Sequence, residues 1–329
     1  MFRKVPIPIQ QKLKNYYQVS FLNNSNIAGK LHYNEYGSDL KILDVYSSNL
    51  IFSTVLHNKL KPEQHVLMEH RPDYATFAEK YIQALPNGHT FQHQALNPYN
   101  WKSYLQLTGE DGILQPGIQA RDHIHSKFLF TGYVHDEGLL MQWLACLGNR
   151  NWVHKFGNVR MLIWIPESSA IKILATPGKS TRGKCSIVRE AFSDTKILAA
   201  AESSRLKKFP KEVLDRDSPL FFSEKDLSGP KNPMTLIEID PKAHDINDML
   251  AWDYVTKNLM ILKRKSLEES LKNLGPGADI YFKEKISDAT LKKAVASLTA
   301  NDFKEITREF ELWPFKPDIL IDSILESSD

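Results

Sequence analysis

Three groups of side chains could do chemistry, and each suggests a different kind. Glu69 closes a short apolar run, Val66–Glu69, which follows an earlier apolar run, Lys41–Tyr46. An acid at the end of a second strand is where nucleotide-binding α/β folds hold ribose hydroxyls, while glycines after the first strand let the backbone approach the ligand. Here the turn after the first run reads Tyr46-Ser47-Ser48-Asn49-Leu50, without a glycine. Each missing glycine adds a Cβ on the ligand side and disfavours positive φ. Asn49 is of a type that tolerates a left-handed backbone, so the turn still leaves room for weak binding. The acid is kept and its loop is degraded, so a nucleotide cofactor is expected to bind weakly at best.

The second group is aromatic. Tyr99, Trp101 and Tyr104 cluster just past a third apolar run, Thr90–Gln94, at the edge where α/β sheets bind ligands. Aromatic faces there could stack an unpaired base, worth about 1–3 kcal/mol per base. Read alone, the cluster is better explained as the packing of a loop. Asn97-Pro98-Tyr99 superficially matches the N-P-P-[YF] tetrapeptide that presents an amino group to a methyl donor. It is one residue short, and it comes after the third strand, where the fourth should carry it. The fourth strand reads Thr131-Gly132-Tyr133-Val134, so no catalytic residue is assigned.

The third group is cationic. Lys179, Arg182 and Lys184 share a Gly- and Ser-containing loop, within a stretch from Lys172 to Arg189 that holds no acid. Mobile cations and exposed backbone N–H groups are what phosphate contact needs. Lys207–Lys208 and Lys263–Lys265 are further clusters, the latter expected to end a helix, where cations oppose the dipole. His123, His125 and His135 lie close in sequence, without the carboxylates and second-shell support of a metal site. No metal is expected, and neither a Ser-His-Asp arrangement nor a P-loop is recognisable.

These groups need a scaffold. The chain has 329 residues, 42% hydrophobic and 25% charged, with a net charge of +3: ordinary values for a folded protein and no argument by themselves for nucleic acid. No apolar run approaches the roughly 18 residues of a membrane span. Cys146 and Cys185 cannot make a disulfide framework, which favours a reducing compartment. No acid precedes Glu35, so Arg3, Lys4, Lys12, Lys14 and Lys30 form a basic start. It is compatible with mitochondrial import, and with Pro6 and Pro8 it is unlike a secretory signal.

Short apolar runs alternate with helical patterns through the first two-thirds, predicting a mostly parallel sheet. Strands are expected at Lys41–Tyr46, Val66–Glu69, Thr90–Gln94, Phe128–Tyr133, Val159–Ile165, Cys185–Phe192 and Thr235–Ile239. Helices are expected at Phe52–Leu60, Pro72–Leu85 and Gly138–Leu147, the last stopped by Gly148. After Pro241 only helical periodicity remains: Met249–Lys263, Leu267–Leu274, Asp288–Ser297 and Asn301–Leu312, with Trp313-Pro314-Phe315 placed to anchor the last segment. A boundary near 241–247 divides an α/β domain, 1–243, from an all-helical one, 244–329, whose tail Ser323–Asp329 is short and acidic.

Several strings resemble known families. Ser20–Asn24 (SFLNN) is similar to the Q-N-F-L-x-D entry of the dimethyladenosine ribosomal-RNA methyltransferases, and 177–188 (PGKSTRGKCSIV) to their P-G-S-x-x-Y-G-R-L-S-V-L-V segment. Glu137–Leu144 (EGLLMQWL), Lys184–Phe192 (KCSIVREAF), Trp252–Lys263 (WDYVTKNLMILK) and Trp313–Leu320 (WPFKPDIL) resemble the fungal mitochondrial transcription factor B proteins, in order and across essentially the whole chain. The resemblance implies a Rossmann-like S-adenosylmethionine-methyltransferase-type α/β sheet with a smaller all-helical C-terminal domain. It implies a matrix protein, a monomer when free, that partners the single-subunit mitochondrial RNA polymerase in promoter recognition and melting and holds the non-template strand. It also implies that the Pro-Tyr-x-Trp position captures a flipped base. On that ground Tyr99 and Trp101 are assigned to nucleic acid with Lys179, Arg182 and Lys184, and Tyr104 is left to packing. Leu22, Ser47, Glu69 and Asn97, the last where the enzymes carry Asp, mark a vestigial cofactor slot. No cofactor is required, and any S-adenosylmethionine binding is expected to be weak. The competing readings are an active S-adenosylmethionine-dependent rRNA adenine dimethyltransferase and a general RNA-binding chaperone.

Overall fold

A computed structural model of the chain describes residues 4–7, 18–19, 30–223, 227–228 and 233–319. Leu22, the SFLNN string and the tail Ser323–Asp329 lie outside the described residues.

Runs buried on nearly every residue cannot be half-exposed strands; they belong in a sheet covered on both faces. The first such strand is β1 (Lys41–Val45), buried at its last four positions. It pairs in parallel with β2 (Gln64–Met68) on one side and β4 (Ile124–Tyr133) on the other. β3 (Phe91–Gln94) lies outside β2, and β5 (Asn158–Pro166) continues beyond β4, both in parallel. β6 (Ser193–Ala201), a short β7 (Leu220–Phe222) and β8 (Met234–Pro241) complete eight strands in the order β3-β2-β1-β4-β5-β8-β6-β7. β8 runs antiparallel to β5, with Leu236 opposite Trp164, so the chain returns into the middle of the sheet. Gln18–Val19 pairs separately with Leu227–Ser228.

Helices fill the crossovers: α1 (Ile51–Leu60), α2 (Pro72–Gln83), α3 (Trp101–Thr108), α4 (Glu137–Asn149) and α5 (Glu167–Ile173). The core between α1 and the sheet is mostly aliphatic, with an aromatic cluster inside it. Trp164 stacks on Tyr133 with centroids 5.8 Å apart and receives Phe52 edge-on at 5.8 Å.

Four expectations are corrected here. Cys185–Phe192 is a helix, α6 (Lys184–Phe192), not a strand. Its buried Ile187, Val188, Ala191 and Phe192 recur at helical spacing, and the Ser186 hydroxyl accepts from Gly183 N–H at the start; the strand follows immediately as β6. Gly148 does not stop α4, which runs through Asn149 until Arg150 turns left-handed at φ 51°. The segment read as a loop after β3 is α3, capped by Asn100, whose Oδ1 accepts from Lys102 N–H at 3.0 Å. Asp288–Ser297 is broken into α11 (Asp288–Leu291) and a 3-10 turn, Val295–Ser297.

The chain forms two compact units, 1–170 with 194–242, and 171–193 with 243–329. The second unit therefore includes α6, which the single expected boundary placed in the α/β domain. α6 joins it through packing: Phe192 meets Trp252 edge-on at 5.4 Å and His244 at 4.8 Å. α7 (Lys211–Asp217) belongs to the first unit, and the second also holds α8 (Met249–Ile261), α9 (Leu267–Ser270), α10 (Ala278–Lys283), α11 and α12 (Ala300–Leu312). The end of α8 at Ile261 leaves Lys263 beyond the helix, where its ammonium donates to the carbonyls of Ser180 and Arg182. Trp313 is buried among Tyr281, Phe282 and Phe310 and anchors the last described segment, whereas Phe315 is exposed. No helix among the described residues is long and apolar enough to cross a membrane.

Candidate functional site

The loop after β1 has lost its glycines and kept the backbone conformation glycines favour. Tyr46, Ser48 and Leu50 take φ of 51°, 63° and 63°. Three alternate residues are thus left-handed, each at a cost of about 1–2 kcal/mol for an L side chain. Asn49, of the type that tolerates this backbone, is not among them; its Oδ1 instead accepts from Ile51 N–H at 3.2 Å. Hydrogen bonds hold the strained path: Tyr46 N–H reaches Met68 O at 3.1 Å, and Leu50 N–H reaches Ser47 O at 3.1 Å. Ser47 is buried inside this turn rather than facing an open slot.

Glu69 sits where the ribose acid was expected, at the end of β2, and it is fully buried. Its carboxylate is already engaged. Oε1 accepts from Arg71 N–H at 3.0 Å and from Arg71 Nε at 2.8 Å, while Oε2 accepts from Arg71 Nη2 at 2.5 Å. The guanidinium lies over two rings, 4.1 Å from the centre of Tyr74 and 4.9 Å from that of Tyr46. Burial raises both phenols, Tyr74 to about 12, so the rings under the cation are neutral. Such stacking adds roughly 0.5–2 kcal/mol. Arg71 was missed in the sequence; an arginine two residues past a strand-ending acid was the available signal.

Asn97 is exposed, and its Oδ1 accepts from Tyr99 N–H at 2.9 Å and from the Tyr46 hydroxyl at 3.4 Å. The side chain shapes the turn into α3 and so orients the aromatics. Tyr99 and Trp101 are 47% and 39% exposed, large areas for such rings, while Tyr104 is 4% exposed and donates its hydroxyl to Pro98 O at 2.8 Å. Trp101 leans on Tyr104 and meets Trp152 edge-to-face, both at 5.9 Å, which holds the indole in place. Trp101 is one wall of a cleft of about 370 Å³ also lined by Tyr104, Leu105, Cys146, Trp152 and Lys155. An aromatic platform already fixed by its neighbours can stack a base without first ordering itself.

Ser47, Glu69 and Asn97 of the slot and the aromatic pair thus meet on one edge of the first unit. The cationic loop belongs to the second unit and divides internally. Lys179 is exposed. Lys184 pairs with Asp253 at 2.5 Å and is 30% exposed. Arg182 does not fit the expected phosphate contact. It is fully buried, donates to Ala175 O at 3.0 Å and Leu298 O at 2.8 Å, and pairs with Glu190 at 2.7 Å. A loop that must tie itself to neighbouring elements uses its most capable donor for that, and a sequence does not show which arginine turns inward. Arg189, read as a strand residue, lies on α6 with Nε donating to Ile173 O at 3.2 Å.

His125 is buried, with Nε2 3.1 Å from Gly117 O, while His123 is exposed beside Asp122. Among the described residues no three His, Cys, Asp or Glu side chains are grouped to hold a metal ion.

A nucleotide cofactor of the kind this fold carries would need the Glu69 carboxylate and a bare loop backbone. Arg71 occupies the first, so the residues present do not fit it as they stand.

Residues 10–311 match the family described as ribosomal RNA adenine dimethylase. Over 327 residues, 95% of this chain and 94% of the other, the sequence is 42% identical to mitochondrial transcription factor 1 of Lachancea kluyveri. It is 40% identical to the protein of the same name from Saccharomyces cerevisiae, over 97% of both chains. The fold is similar to that of a dimethyladenosine transferase from Plasmodium falciparum, with a TM-score of 0.58 over 88% of this chain and 96% of that one, at 11% identity. Sheet order, helical second unit and sequence agree: the chain belongs to the ribosomal RNA adenine dimethylase family.

Proposed function

We propose that this family member is a mitochondrial transcription initiation factor without methyltransferase activity. It partners the single-subunit mitochondrial RNA polymerase, helps it recognise and melt promoters, and holds the displaced non-template strand on Tyr99 and Trp101. The observation that carries the reading is the near-complete alignment with relatives named as mitochondrial transcription factors, at 40–42% identity. The Glu69–Arg71 pair supports the loss of cofactor use, because the acid needed for a ribose is already bound. The two exposed rings support base stacking.

Run-off transcription with the cognate polymerase tests it, on a closed duplex promoter and on one pre-melted across the start site. Wild type is needed on the closed template and far less on the pre-melted one, and Tyr99→Ala/Trp101→Ala fails only on the closed one. If the protein changes neither template, the initiation reading is wrong.

An rRNA adenine dimethyltransferase is the second reading. One observation favours it: the left-handed backbone at residues 46, 48 and 50 still has the shape a glycine loop would take. Micromolar S-adenosylmethionine affinity of the wild-type protein by calorimetry would restore it.

A further inference from the structure

We propose that Arg71 is an internal plug: its guanidinium stands in for a ribose diol on Glu69, and this one side chain keeps a nucleoside out of the slot. The inference is independent of the promoter role.

The chemistry of the two groups is equivalent at the carboxylate. A vicinal diol offers two O–H donors to the two oxygens of an acid; a guanidinium offers two N–H donors in the same fork. Arg71 uses that fork, Nε to Oε1 at 2.8 Å and Nη2 to Oε2 at 2.5 Å, and adds its own backbone N–H at 3.0 Å. The contact is also local. Arg71 lies two residues beyond Glu69, so no loop must close to form it, and a free ligand competes with a group that is always present.

The plug lies at the surface: the Glu69 side chain is 1% exposed, while that of Arg71, held on its carboxylate, is 32% exposed. Around it, the support of a ligand slot persists. His93 Nε2 lies 2.9 Å from Glu69 O and helps fix the end of β2. Tyr46 and Tyr74 present ring faces to the guanidinium, and such faces accept a planar group other than an arginine. Removing the side chain beyond Cβ therefore takes the fork away from the Glu69 carboxylate and leaves two aromatic faces where the guanidinium lay.

The test is calorimetric titration of the full chain with adenosine. Wild type, Arg71→Ala, Arg71→Met and Glu69→Gln/Arg71→Met are compared; methionine keeps apolar cover over the two rings. Arg71→Ala or Arg71→Met is expected to bind adenosine at least about tenfold more tightly than wild type, and the double variant to lose that gain. The gain is also lost, by about tenfold, with 2′-deoxyadenosine, which lacks one diol donor. A variant that folds only when adenosine is added counts as binding. Wild type binding adenosine as tightly as the variants overturns the proposal. So does a folded variant that gains nothing, or a variant that stays unfolded with adenosine present. None of these outcomes bears on the run-off assay.

Discussion

The Arg182 guanidinium meets the Glu190 carboxylate at 2.7 Å in the interior of the second unit, and Glu190 Oε1 also accepts from the Ala300 backbone N–H at 2.9 Å. One arginine and one glutamate thus tie the loop before α6 to α6 and to the first residue of α12. Arg182→Ala leaves the carbonyls of Ala175 and Leu298 without this donor and Glu190 without its countercharge. We expect a loss of about 3–5 kcal/mol in urea unfolding, the usual effect of removing one partner of a buried pair. Lys179→Ala, at an exposed position, should change stability by under about 0.5 kcal/mol. Equal stability of the two variants would show that the Arg182 pair does not hold the unit together.

Ser48 and Leu50 share a left-handed φ of 63° but differ in what their side chains do. Ser48→Gly relieves strain at the cost of a few contacts and a more flexible unfolded chain. It should be neutral to stabilising by about 1 kcal/mol. Leu50→Gly relieves the same strain but empties a fully buried position. Loss of the leucine's burial, about 2–5 kcal/mol, outweighs the relief, so this variant should be clearly destabilised. Denaturant midpoints decide it; a destabilised Ser48→Gly would mean that the loop is not strained at that residue.

Burial holds His57 and His154 neutral, with values near 2 and 3 against an ordinary 6.5. His57 lies face to face with Phe91, centroids 4.0 Å apart. In the unfolded chain each imidazole takes up a proton below pH 6.5, while the folded chain refuses it until its own lower value is reached. The unfolded state therefore binds more protons in that window, and stability falls as the pH drops from 6.5 toward 4. Each histidine contributes up to about 1.4 kcal/mol per pH unit. His57→Phe should flatten that slope between pH 6.5 and 4 in a urea-unfolding series. An unchanged slope would mean that His57 is protonated in the folded protein.

The strand-ending acid, the glycine-free turn, the aromatic triplet and the switch to helical periodicity after Pro241 were all legible in the sequence. They are local, and period, turn chemistry and residue type report local conditions directly. Family membership was legible for a different reason: long strings in a fixed order carry more information than any single motif. What only the tertiary structure decided concerns partners. Arg71 and Arg182 look like two surface cations in the chain. One closes over Glu69 and two rings, and the other is buried between α6 and the segment before α12. The helical face of α6 was misread as a strand because the short apolar stretch Cys185–Val188 with Ala191 and Phe192 does not separate the two periods, and burial beside Trp252 settles which one forms. The left-handed turn at residues 46, 48 and 50 was hidden for the same reason. Propensity argues against that backbone at Tyr, Ser and Leu, and it forms because the sheet and α1 fix both ends of the turn and their packing outweighs a few kcal/mol of local strain.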